Sequence, residues 1–104
     1  MRMSLLACAL LCAGPALAQE VGDAAAGRTV ARELCAGCHA VEPGAAEKPG
    51  GPPSFVRIAA VPGMTATALR VVLQTAPTHR TMPMLTLDAD ETRDVIAYIL
   101  SLRP

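Results

Sequence analysis

Cys35-Ala36-Gly37-Cys38-His39 places two thiols around a two-residue spacer and follows them at once with an imidazole. This is the spacing of covalent haem attachment. Two thiolates about one helical turn apart can each form a thioether to one of the two vinyl groups of a single porphyrin. The next side chain is then held under the iron, where a ring nitrogen can bind it axially. Cys35 and Cys38 are therefore the candidate thioether anchors, and His39 is the candidate proximal ligand.

Other chemistries fit these residues less well. A thioredoxin-like thiol pair wants a preceding strand and a βαβ setting, whereas Ala24 to Leu34 has a helical pattern. A closed zinc site wants four ligands; Cys38 and His39 are adjacent, and His79 is the one other histidine. A plain disulfide between Cys35 and Cys38 leaves His39 without a role.

The start of the chain suits the compartment in which haem is attached. Met1-Arg2 is positive, Leu5 to Leu11 is apolar, and Ala16-Leu17-Ala18 offers a small-x-small cleavage site before polar Gln19-Glu20. Residues 1–18 are expected to be a secretory signal and residues 19–104 one periplasmic domain. The apolar run is short for a spanning helix, so no stable membrane anchor is expected after cleavage. Acylation at Cys8 or Cys12 is disfavoured, because Cys8 lies early and bulky Leu11 precedes Cys12. Cys8 and Cys12 leave with the signal, so Cys35 and Cys38 become the cysteines of the mature protein.

The 104 residues carry nine basic and nine acidic side chains. Loss of Arg2 leaves the mature chain slightly negative, which implies no basic face for nucleic acid. One small domain of this length has a marginal core. Phe55 and Tyr98 are its aromatic residues, so a buried porphyrin would supply apolar bulk that the side chains lack.

Four helices can position these residues. Asp23 caps a helix from Ala24 to about Cys38, with Gly27, Val30 or Ala31, and Leu34 on one face. Glu42 to Pro53 is rich in proline and glycine and is expected to be loop. A short helix from Ser54 to Ala60 ends at Pro62-Gly63. Thr65 caps a helix to about Gln74, with Leu69, Val72 and Leu73 inward. After a loop from Thr75 to Leu87, Asp88 and Glu91 form a capping-box pattern. Val95, Tyr98, Ile99 and Leu102 then repeat at helical spacing.

From Asp23 to Arg103 the chain resembles the small bacterial class I cytochromes c. The resemblance rests on Gly27 ahead of the haem motif, the Met82-Pro83 pair after a central helix, and Ala97-Tyr98-Ile99-Leu100-Ser101-Leu102 near the end. It implies an all-α, cytochrome c-like fold, with three to four helices wrapped around one covalently bound haem c and its iron. It also implies that the first and last helices cross with Gly27 close to Tyr98. Val30 departs from the pattern, standing where many relatives carry an aromatic.

The same resemblance implies Met82 as the second axial ligand. A thioether favours ferrous iron, so a His/Met pair raises the potential and suits an electron carrier. Met82 could instead fill core, as methionine often does; Met84 lacks a following proline, and Met64 fits packing. His79, three residues before Met82, would make the haem bis-histidine if it bound iron, and hydrogen bonding at the haem edge or solvent exposure are its other roles. Arg80 suits a haem propionate or solvent equally. In Gly51-Pro52-Pro53-Ser54-Phe55, a carbonyl of Pro52 or Pro53 is expected to accept the other imidazole N–H.

The expected function is one-electron transfer between redox donor and acceptor proteins, as a free carrier or as the haem subunit of a redox complex. No substrate chemistry, and so no enzyme activity of its own, is expected. The near-neutral charge favours docking through small apolar residues around Ala36 and Gly37. A gas sensor or peroxidase-like enzyme is the alternative and would need a labile sixth ligand.

Overall fold

The computed structural model describes residues 22–75, 82 and 86–104. Four helices follow in order: α1 (Ala24–Leu34), α2 (Phe55–Ala59), α3 (Ala66–Thr75) and α4 (Ala89–Ser101). The described residues contain no strand, as the all-α expectation required. The expected signal at 1–18 lies outside the described residues.

The helix starts are written in short polar side chains. The Asp23 carboxylate accepts the amides of Ala25 and Ala26, Ser54 Oγ accepts Arg57 N–H at 3.1 Å, and Thr65 Oγ1 accepts Ala68 N–H at 3.1 Å. Asp88 and Glu91 form the full reciprocal capping box. Each cap satisfies backbone donors that a helix leaves without intrahelical partners.

α4 is the hub. Among the described residues α1, α2 and α3 each approach α4, and none of the three approaches another. The core joins Ala31 and Cys35 to Val41, Phe55, Ala59 and Leu69, and all of these to Val95, Ile96, Tyr98 and Ile99 of α4. Val95 is 1% exposed.

Two glycines let α1 lie against α4. A Cβ on Gly27 would sit 1.9 Å from the Asp94 carbonyl oxygen and 2.9 Å from Tyr98 Cβ. At Gly22 it would sit 2.2 Å from the Arg93 carbonyl oxygen. The crossing is sealed where Asp94 Oδ1 accepts Asp23 N–H at 2.7 Å. The expected Gly27–Tyr98 contact is thus present, and Gly22 extends it.

Two expectations need correction. α1 stops at Leu34, not near Cys38, because the amides of Cys35 and Ala36 both turn to the Ala31 carbonyl, at 2.9 and 3.0 Å. Sharing one acceptor breaks the i to i−4 ladder, and Gly37 offers little propensity to resume it. Leu34 and Val72, assigned to inward faces by periodicity, are 46% and 43% exposed. Ala31, rather than Val30, takes the buried position on α1.

Candidate haem site

The end of α1 delivers the motif. Cys35 is the C-cap residue of α1, and the amides of Cys38 and His39 both bond the Cys35 carbonyl, at 3.1 and 2.9 Å. That turn buries Cys35 and leaves Cys38 exposed. Burial pushes the Cys35 thiol up from its ordinary value. A helix C-terminus also disfavours negative charge, so burial and the helix end both work against a reactive thiolate there.

His39 is held from the far side of a loop. Its Nδ1 donates to the Pro53 carbonyl at 2.7 Å, which decides between the two prolines. The ring also lies against Phe55, centroids 5.4 Å apart and tilted by 54°. Phe55 in turn contacts Tyr98, centroids 6.3 Å apart, a separation at which tilted aromatic pairs attract. With Nδ1 bonded to a carbonyl, Nε2 is the ring nitrogen that remains for a metal.

The loop from Ala40 to Pro53 is pinned at several points. The Ala40 carbonyl accepts Phe55 N–H at 2.9 Å, and the Val41 carbonyl accepts Tyr98 O–H at 2.6 Å. Burial raises the Tyr98 hydroxyl above its ordinary value, so it stays a neutral donor. Glu42 receives Arg28 and Arg32 of α1; their hydrogen bonds, that from Arg28 first, hold its carboxyl below the usual range.

After Glu42, the Pro/Gly-rich stretch carries two adjacent charges, Glu47 and Lys48. Glu47 accepts Ser54 N–H at 2.8 Å and Arg57 Nη1 at 2.9 Å. The Ser54 amide is the main reason that its carboxyl is held low. Lys48 Nζ donates to the Gly37 carbonyl at 2.8 Å, placing an ammonium on the turn between the cysteines. The exposed surface at Ala36 and Gly37 is therefore edged by a cation rather than wholly apolar. Sequence reasoning missed both residues; charges inside an otherwise uncharged run of proline, glycine and alanine were the available signal.

Met82 is half-buried. His79, Arg80, Pro83 and Met84 lie outside the described residues. Met64 is partly buried against the core, in keeping with a packing role. Among the described residues no three of His, Cys, Asp and Glu gather as a metal cluster.

These residues fit a haem. His39 offers Nε2 to a metal, and Cys35 and Cys38 stand on the turn just before it. Around them α1, α2 and α3 meet only through α4, and Leu34 beside Cys35 presents exposed apolar surface. A family model described as cytochrome c matches residues 24–103.

The chain belongs to the cytochrome c family.

Over 82 residues it is 38% identical to cytochrome c-552 of Bradyrhizobium diazoefficiens, an alignment spanning 79% of this chain and 77% of that relative. No solved structure gives a significant match. The protein is a small bacterial class I c-type cytochrome, with covalently bound haem c and its iron as cofactor. It is a haem electron carrier, which requires redox partners. No helix among the described residues is long and apolar enough to cross a membrane.

Proposed function

We propose that this cytochrome c is a periplasmic one-electron carrier, tethering its haem through Cys35 and Cys38 and binding the iron through His39 and Met82. The observation that carries the reading is the His39 Nδ1–H bond to the Pro53 carbonyl at 2.7 Å. It selects the tautomer with Nε2 unprotonated and fixes the ring plane, as a second hydrogen bond does for metal-binding histidines. Haem c, when bound, supplies an iron that alternates between ferric and ferrous states by one electron.

The chain's residues set the terms of that exchange. His39 donates electron density and is kept rigid by Pro53 and Phe55. As an iron ligand, the Met82 thioether would favour the ferrous state and leave no open position for small ligands. A His39 ring held in this way would keep movement on its side small when an electron arrives from a donor or leaves to an acceptor. Exposed Cys38 and Gly37, with the Lys48 ammonium beside them, mark where a partner would approach, whether the domain travels alone or serves a larger redox complex. The basic start, apolar run and Ala16-Leu17-Ala18 support a cleaved signal over 1–18, leaving a domain at 19–104 in the periplasm.

Met82→Ala tests the ligand assignment. The variant is expected to become high-spin, to bind carbon monoxide and to lose potential relative to the parent. A low-spin spectrum indistinguishable from the parent's would remove Met82 from the site.

A further inference from the structure

The peptide group joining Pro53 to Ser54 is engaged at both ends. Its carbonyl accepts His39 Nδ1–H at 2.7 Å, and its N–H donates to Glu47 Oε1 at 2.8 Å. One planar amide therefore lies between an imidazole and a carboxylate.

We propose that Glu47 is a positioning residue for His39, tuning the iron's potential through the Pro53–Ser54 peptide. The inference rests on the reading of His39 as an axial ligand.

Polarisation runs along this chain of hydrogen bonds. A charged acceptor bonds more strongly than a neutral one. It draws the Ser54 N–H proton toward itself and, through the conjugated amide, places more negative charge on the Pro53 oxygen. That oxygen becomes a better acceptor for His39 Nδ1–H, so the ring donates more density from Nε2. A histidine ligand whose other N–H meets a carboxylate directly gains basicity in the same way. Here the carboxylate acts at one remove.

The surroundings keep Glu47 ionised and aimed. Arg57 Nη1 on α2 holds Oε2 at 2.9 Å, leaving Oε1 for the amide. Ser54 is 9% exposed, and its hydroxyl caps α2 through Arg57 N–H, so the peptide cannot swing away without unravelling that helix. Arg57 also draws charge away from the amide, so the two residues oppose each other in their effect on His39. The other loop carboxylate, Glu42, binds Arg28 and Arg32 instead.

The test is Glu47→Gln in the matured, haem-loaded protein. It keeps an acceptor for Ser54 N–H and removes the charge. The one-electron equilibrium is expected to shift toward ferrous by up to about tenfold, which is about 59 mV for a single electron. In the ferrous protein the His39 Nδ1–H proton resonance is expected to move upfield and exchange faster. Both changes should persist in 1 M salt, where the screening length is about 3 Å, whereas any shift in Glu42→Gln should fade. If the melting temperature falls while potential and resonance stay fixed, Glu47 is only a structural brace and the proposal is overturned. If Glu47→Gln does not mature, Arg57→Gln decides: it should shift the equilibrium toward ferric in 1 M salt, and no shift there overturns the proposal. Failure of His39 ligation itself would appear separately, in the optical spectrum of the unaltered protein.

Discussion

The α1–α4 crossing and the proximal segment from Cys35 to Arg57 are held by different physics. At the crossing, backbone meets backbone: Gly22 and Gly27 leave no room for a Cβ, and Val95, Ile96, Tyr98 and Ile99 fill the space around Ala31. The proximal segment buries Cys35, Val41 and Phe55 but is otherwise anchored by individual hydrogen bonds to carbonyls and carboxylates. The first region is specified by shape, the second by polar partners. A haem protein needs both. The crossing fixes α1 against α4, and the bonded loop sets how the imidazole that follows α1 is oriented.

Glycine substitutions make the sharpest contrast. Gly27→Ala drives a methyl into the Asp94 carbonyl, 1.9 Å away, so the helices must separate; overpacking of this kind costs on the order of 3 kcal/mol. Denaturant unfolding of the holoprotein should show that loss. Gly37→Ala, in the turn between the cysteines, meets nothing within 4 Å and should stay within about 0.5 kcal/mol of the parent. Similar losses at both positions would erase the distinction between the regions.

Tyr98 belongs to both and should fall between them. Its ring packs at the crossing, and its hydroxyl ties the Val41 carbonyl at 2.6 Å. Tyr98→Phe keeps the packing and leaves a buried acceptor without its donor, a loss of about 1–2 kcal/mol in the same assay. A change within error would mean that water satisfies Val41 and that the loop is anchored elsewhere.

The same division separates what the amino-acid sequence makes legible from what it hides. Caps are local, so Asp23, Thr65 and the Asp88/Glu91 pair mark helix starts by their own chemistry. Gly27 and Tyr98 follow from the resemblance to cytochromes c, and the cysteines and His39 from their spacing. Ties across the proline-rich loop are not legible: nothing periodic links Glu47 to Ser54, or Lys48 to Gly37, and Pro52 and Pro53 look alike until one carbonyl faces Nδ1. Gly22 is equally silent, because its constraint comes from Arg93, far away in sequence. Leu34 and Val72 mislead in the opposite direction. Helical periodicity reports that a face is apolar, and α4 does not cover every apolar face.

In the proposed arrangement this loop and this crossing hold a covalently attached haem between His39 and Met82 for electron transfer. Optical spectra of the matured protein, oxidised and reduced, with and without carbon monoxide, test it most directly. A low-spin c-type spectrum in both states, a weak sulfur-to-iron band when oxidised, and no response to carbon monoxide are expected. A high-spin spectrum or ready carbon monoxide binding would contradict it, pointing to an open sixth position and to ligand sensing or catalysis instead.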